Sequence, residues 1–424
     1  MRSRKLAGLG AIGVAAVLLA ACGGDGEANQ SQDGQPSGEL TIATWHWLEA
    51  GRGDQLYDIL TRYREVNPNA TIKKQESTRA DYEKTISTEI GAGGGPDVLI
   101  IPDTYFPELA DSAALEPLDG VLDADVEEKL LPQNQQFIVD DQRLALASEV
   151  SPYGFFWNKD ILAQAGVQPP TTAEELIAAA KTVKDKTGVT GFAVRHQMNE
   201  EAVWWPDHSN WVFGFGGRWS DDEKLTINSA ENVAAEQAYL ALYRSGAFAI
   251  GDDASTFRSK FAQGQIAMTI DCLTCMRTVT RSAGASIGTT TVGGSLLPFP
   301  KPNMTAVTLG MGVNANSKNK ALAKDFLRFY YSKATQEALL QANFPSTVGT
   351  TVDVPADLLA RAPWAQPTLD NLDNGRSAVI PGFGLQTPQI RTIVLTQVER
   401  MLAGEVTPQQ ALDRAQAAAQ AAVQ

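Results

Sequence analysis

The sequence predicts an α/β protein built as two lobes. Three observations carry this reading. Strand-like and helix-like segments alternate between residues 39 and 101, the short strands include runs that are apolar at every position, and the alternation begins again after residue 142. Strand–helix alternation builds a sheet with helices on its faces. A strand without polar positions is one covered on both sides.

The first strand is "ELTIATWHW" (39–47), a β-branched run that ends in three large rings. In "DQLYDILTRYREVNP", Leu56, Ile59, Leu60, Tyr63 and Val66 recur at helical spacing, and Asn67-Pro68 stops the helix. "ATIKKQEST" reads as a second strand, "ADYEKTISTEIGAGGG" as a helix run out by glycines, and "PDVLII" as a short buried strand. Open α/β sheets bind ligands beyond the carboxyl ends of their strands. Those ends carry Trp45, His46 and Trp47, and then Asp103, Thr104 and Tyr105.

In the second half, "RLALAS" and "PYGFFW" read as two strands. "TAEELIAAAKTVKDKTG" is a helix with a threonine cap and a glycine stop. "GFAVR", "QIAMTID" and "VTLGMGVNA" are further strands, with helices around "AVWWPDHSNWVFGFGG" and "AENVAAEQAYLALYRSG". The tail, from "ALAKDFLRFYYSKATQEALLQ" to "TPQIRTIVLTQVERMLAGEVTPQQALDRAQAAAQAAV", is helical.

Arg2, Arg4 and Lys5 precede an apolar run from Leu6 to Ala21, shorter than the ~20 residues of a membrane-crossing helix. Charged start, short apolar middle and small residues at the end are the anatomy of a secretory signal peptide, expected over 1–21. Leu19-Ala20-Ala21-Cys22 resembles the bacterial lipobox, whose cysteine takes a diacylglycerol. Cys22 is then a lipidation site, and 22–37, rich in Gly, Ser, Gln, Asn and Asp, a flexible tether. That places the protein on the outer face of the bacterial cytoplasmic membrane.

The formal net charge is −14, and losing the three leader cations takes it to −17. Nucleic acids and anionic membranes both reward basic patches, so neither is expected as a partner. Two cysteines remain, Cys272 and Cys275 in "CLTC". An exported protein permits a disulfide between them, and free thiols are the other reading. Zinc needs about four ligands, and no second pair stands nearby. The three histidines, His46, His196 and His208, form no HExxH pair, and no GxSxG elbow or phosphate-binding loop is present. No metal or cofactor is expected.

Four stretches, in order, resemble one family. They are "GAGGGPDVLIIPDTYFPELADSAALEPLD", "GFFWNKDILAQAGVQPPTTAEELIAAAK", "FAQGQIAMTID" and "LGMGVNANSKNKALAKDFLRFYYSKATQEALL". Together they resemble the extracellular solute-binding proteins of ABC importers, in the carbohydrate branch that includes maltose-binding protein. The resemblance implies a two-lobed periplasmic-binding-protein-like fold of class II type, with a hinge between lobes. Carried over by matching segments, lobe 1 is 38–147 plus 272–317 and lobe 2 is 148–271 plus 318–424. It implies a monomer that carries out no catalysis, captures a mono- or oligosaccharide in the cleft and delivers it to ABC permease transmembrane subunits. The same fold binding a glycerophosphodiester, polyamine or peptide is the alternative, and an exported glycoside hydrolase the rival class.

A sugar cleft needs flat aromatic platforms plus planar donors and acceptors. Trp45, His46 and Trp47 end the first strand, where neighbours point oppositely, so one tryptophan is expected in the core and at least one of the three in the cleft. Trp204 and Trp205, before Pro206, offer one platform and one core residue. Asp103 and Tyr105 follow "DVLII", and Asp103 reads alternatively as a helix N-cap. Glu149 and Tyr153 lie on an expected crossing, Asp271 at the expected hinge, and Phe383 and Gln386 in a late covering loop.

Overall fold

Residues 34–424, apart from 50, 80, 283 and 289, are described by a computed structural model. Cys22, the expected leader and most of the tether lie outside the described residues.

β1 (Gly38–Ala43), α1 (Arg52–Leu60), β2 (Ala70–Gln75), α2 (Tyr82–Gly91), β3 (Val98–Pro102) and α3 (Phe106–Asp111) follow the expected order. β1 lies between β2 and β3, parallel to both. All five residues of β3 are buried, as its uninterrupted apolar run requires. The next long strand, β4 (Leu146–Asn158), fuses the two strands expected over 143–157. It is followed by β5 (Thr190–Ala193), α4 (Glu201–Gly214), β6 (Ile266–Cys272), α5 (Leu273–Arg281) and β7 (Met304–Val313). Helices α6 (Lys320–Tyr330), α7 (Lys333–Asn343), α8 (Thr387–Leu402) and α9 (Pro408–Ala422) complete the chain.

The main strand order is β2-β1-β3-β7-β4-β6-β5. β4 serves both halves of it. Leu146–Pro152 pair antiparallel with β7, and Tyr153–Trp157 pair antiparallel with β6. Pro152, which has no N–H to offer, falls at the changeover, where the loss of one ladder bond matters least. β7 crosses as well. Its start is tied to α4, where Thr305 N–H donates to Asn210 Oδ1 at 2.8 Å, and its end pairs with β3. The third crossing follows α7, where Thr347 and Val348 pair with Val150 and Glu149 before the chain returns to the second lobe.

Two segments fall on the opposite lobe from the expected division. α6 and α7, expected in lobe 2, pack on the first lobe. The apolar stripe Leu322, Phe326, Leu327 and Tyr330 is buried, and Phe326 meets Tyr63 edge-on at 5.4 Å. Val292–Ser295, expected in lobe 1, pair with Phe155–Asn158 of β4 in the second lobe. The expected division is the one the resemblance carries over by matching segments, but the apolar faces choose their own partners.

The core does not divide as the lobes do. One buried cluster joins the first lobe to the face of β4 that carries Phe156, while the second gathers Phe155, Trp204, Trp205 and the inner faces of α8 and α9. Consecutive β4 residues thus feed different cores, as alternation along a strand dictates. Phe156 is fully buried, edge-on to Trp364 at 5.5 Å. Phe156→Ala is expected to destabilise the protein by about 3–5 kcal/mol, read as a lower midpoint in urea unfolding.

Candidate functional site

Strand β1 stops at Ala43 because Thr44 caps a short 3₁₀ turn, its Oγ1 accepting from His46 N–H at 3.2 Å. Trp45, His46 and Trp47 therefore sit on a turn, not on a strand, and all three are buried. The Trp47 indole N–H donates inward to Ile42 O at 3.0 Å. Trp45 packs edge-on to Tyr82 at 5.0 Å, and the Arg79 guanidinium lies 4.7 Å from its ring centre. Burial, then Arg52 and Arg79, hold His46 well below its ordinary value, so its imidazole is neutral.

Beyond β3, Asp103 is no helix cap, since Tyr105 precedes α3 without a side-chain bond. The Asp103 carboxylate accepts from Thr104 N–H at 2.8 Å, Ser377 Oγ at 3.3 Å and Thr308 N–H at 3.4 Å. Burial still outweighs these bonds and pushes its pKa up to about 6. Tyr105 turns towards α2, its hydroxyl 2.6 Å from Ser87 Oγ, and burial raises it to about 12.

Several expected ligand groups are already partnered within the protein. Tyr153 donates its hydroxyl to Asp207, which also takes two bonds from Arg195 at 2.8 and 3.0 Å. Asp271 is held by Arg258 through two bonds of 2.7 Å. Trp204 and Trp205 have no exposed surface, so the expected split into one platform and one core residue is not observed. Trp205 stacks on Trp219 at 4.5 Å and donates to Ala378 O at 2.7 Å. Glu149 pairs with Arg52, which also bonds Glu49 at 2.9 Å. Cys272 and Cys275 are joined as a disulfide.

A cleft of about 820 Å³ opens where the lobes meet. Asp103, Phe106, Pro107 and Gln136 line it from the first lobe, and Ser377, Val379, Pro381 and Gln386 from the second. The second-lobe wall is a strap held from behind, with Ser220 Oγ donating to Pro381 O at 2.7 Å. Phe383 is half-buried within that strap. His46, Trp47 and Glu149 line a separate enclosed cavity of about 20 Å³, together with Thr44, Arg52, Ser148 and Asn343. A space of that size suits one water. The expected residues are thus divided between a cleft, a small cavity and the core.

The sequence reading missed Arg52, Arg79, Ser377 and Thr274. Arg52 lies close behind the aromatic triplet and Thr274 inside the CLTC stretch, but nothing local marks the other two. The cleft can surround a small polar molecule, with apolar walls and a few oriented polar groups. A carboxyl whose folded pKa lies above its unfolded value adds stability that is full below about pH 4 and lost as pH rises through its folded value, here about 6. Wild type is therefore expected to lose on the order of 2–3 kcal/mol of unfolding free energy between about pH 4 and pH 7 relative to Asp103→Asn. Urea unfolding across that range checks it.

Residues 47–337 match the family model described as bacterial extracellular solute-binding protein. The chain is 28% identical over 361 residues to the diacetylchitobiose binding protein DasA of Streptomyces coelicolor, covering 80% of this chain and 81% of that one. It is 25% identical over 426 residues to the sn-glycerol-3-phosphate-binding periplasmic protein UgpB of Salmonella typhimurium, covering 90% and 92%. Its fold resembles that of a cyclic alpha-maltosyl-1,6-maltose binding protein from Arthrobacter globiformis, with a TM-score of 0.78, 20% identity and coverage of 91% and 98%. Among the described residues no helix is long and apolar enough to cross a membrane. On the extent of the family match, the chain belongs to the bacterial extracellular solute-binding proteins.

Proposed function

We propose that this protein is the substrate-binding component of an ABC importer and that it captures a mono- or oligosaccharide between its lobes. The observation that carries this is the cleft lined by both lobes, with Asp103 and Gln136 facing Ser377 and Gln386. A ligand there touches both walls only when the lobes are closed. That differential affinity shifts the population towards closure, and the closed form is what the permease subunits would engage. The sugar-binding relatives support the carbohydrate class. The ligand leaves chemically unaltered, and the protein works as a monomer.

A phosphorylated polyol is the second reading, favoured by the glycerol-phosphate-binding relative.

Calorimetric titration of the purified, ligand-stripped chain with neutral saccharides and glycerol 3-phosphate separates the two. Saturable binding of a saccharide recovered intact is the expected result. Binding of glycerol 3-phosphate alone, or turnover of the sugar, would overturn it. The leader and Cys22 are proposed to anchor the protein to the outer face of the membrane through a diacylglycerol, whose two chains suffice for stable attachment. Cys22→Ser is expected to move the protein from the membrane fraction to the soluble one.

A further inference from the structure

The Thr274 hydroxyl is where three segments meet. Its Oγ1 lies 2.8 Å from Ser151 Oγ and 3.2 Å from Glu149 Oε1, both on β4. It also contacts Ser346 Oγ, on the crossing that follows α7. The Thr274 backbone N–H donates to Ser151 Oγ at 3.1 Å. Thr274 itself stands on the first turn of α5, directly after the second-lobe strand β6. Glu149 carries the connection onward to Arg52 of α1 in the first lobe. One side chain thus bonds two of the crossings and reaches the first lobe through a carboxylate. A hydroxyl has one proton, for which Ser151 Oγ and the Glu149 carboxylate are alternative acceptors, while Ser346 has a proton of its own to give.

The turn that presents Thr274 is closed covalently. Cys272 is the N-cap of α5, and Cys275 N–H donates to Cys272 Sγ at 3.2 Å. The disulfide joins the residues on either side of Leu273 and Thr274. Helix ends ordinarily fray, and this one is prevented from doing so where its hydroxyl is in use.

We infer that Thr274, held in place by the Cys272–Cys275 disulfide, is a positioning residue that sets the angle between the lobes through Ser151, Ser346 and Glu149. This rests on the reading that the lobes close around a solute, but not on which solute. Without the hydroxyl, the two crossings lose their common partner and the lobes sample a wider range of angles.

The test needs no ligand. Spin labels carried on non-cysteine residues replace exposed Lys333 in the first lobe and exposed Lys181 in the second, and the distance distribution between them is measured in the full chain. Thr274→Val is expected to shift or widen that distribution by about 2 Å or more, while Thr274→Ser restores the wild-type distribution. Ser346→Ala, which removes a partner rather than the hub, is expected to move it in the same direction and serves if Thr274→Val fails to fold. Dithiothreitol supplies two electrons and two protons, cleaving the S–S bond to two thiols while it becomes a disulfide itself. Reduced wild type is expected to resemble Thr274→Val. Unchanged distributions in folded Thr274→Val and Ser346→Ala, or no recovery in Thr274→Ser, would overturn the role of Thr274. An unchanged distribution on reduction would overturn that of the disulfide. A chain that binds no sugar yet shows these shifts would overturn the proposed function and leave this inference standing.

Discussion

β4 is buried along nearly its whole length from Leu146 to Asn158, so its amides and carbonyls must find protein partners. No single strand supplies them. The first part of the strand takes β7 and the second takes β6, and the changeover falls between Pro152 and Tyr153. That division makes two lobes of one connected sheet and fixes where the chain can bend. Residues just before the changeover, Glu149 and Ser151, consequently lie within reach of both lobes.

The second lobe pays for its buried polarity in a specific way. Asp207 and Asp271 are both without exposed surface, and each is met by an arginine through two bonds. Removing one partner of such a pair strands a buried charge at a cost of about 3–5 kcal/mol, whereas the intact pair adds little net stability. Their value is in geometry. Asp207 holds the Tyr153 hydroxyl and Asp271 the start of the disulfide turn, since Cys272 N–H donates to Asp271 Oδ1 at 2.9 Å. Asp271, a carboxylate that looks available to a sugar in the sequence, is thereby committed to orienting the end of β6.

The aromatic residues divide for a related reason. Trp204 and Trp205 lie on a helix whose residues from 204 to 214 are all buried, Asp207, His208, Ser209 and Asn210 included. Both therefore go inside, while Trp45 lies under Arg79 and Trp47 under Lys74. The cleft wall comes instead from α3 and from the strap at 377–386, whose sequence carries few large rings.

Local pattern was enough to reveal the alternating strands and helices, the wholly buried β3, the helical tail and the cysteine spacing that allows a bond. All of these depend on residues within a few positions of each other, where periodicity and turn chemistry act directly. The family resemblance added the two-lobed class. Tertiary structure alone decided that α6 and α7 join the first lobe, that two expected strands are one, and which polar groups are already partnered. Glu149 meets Arg52 across 97 positions and Thr274 across 125. Such pairs leave no trace in local spacing, because they exist only once separate apolar faces have been buried and have brought distant segments together.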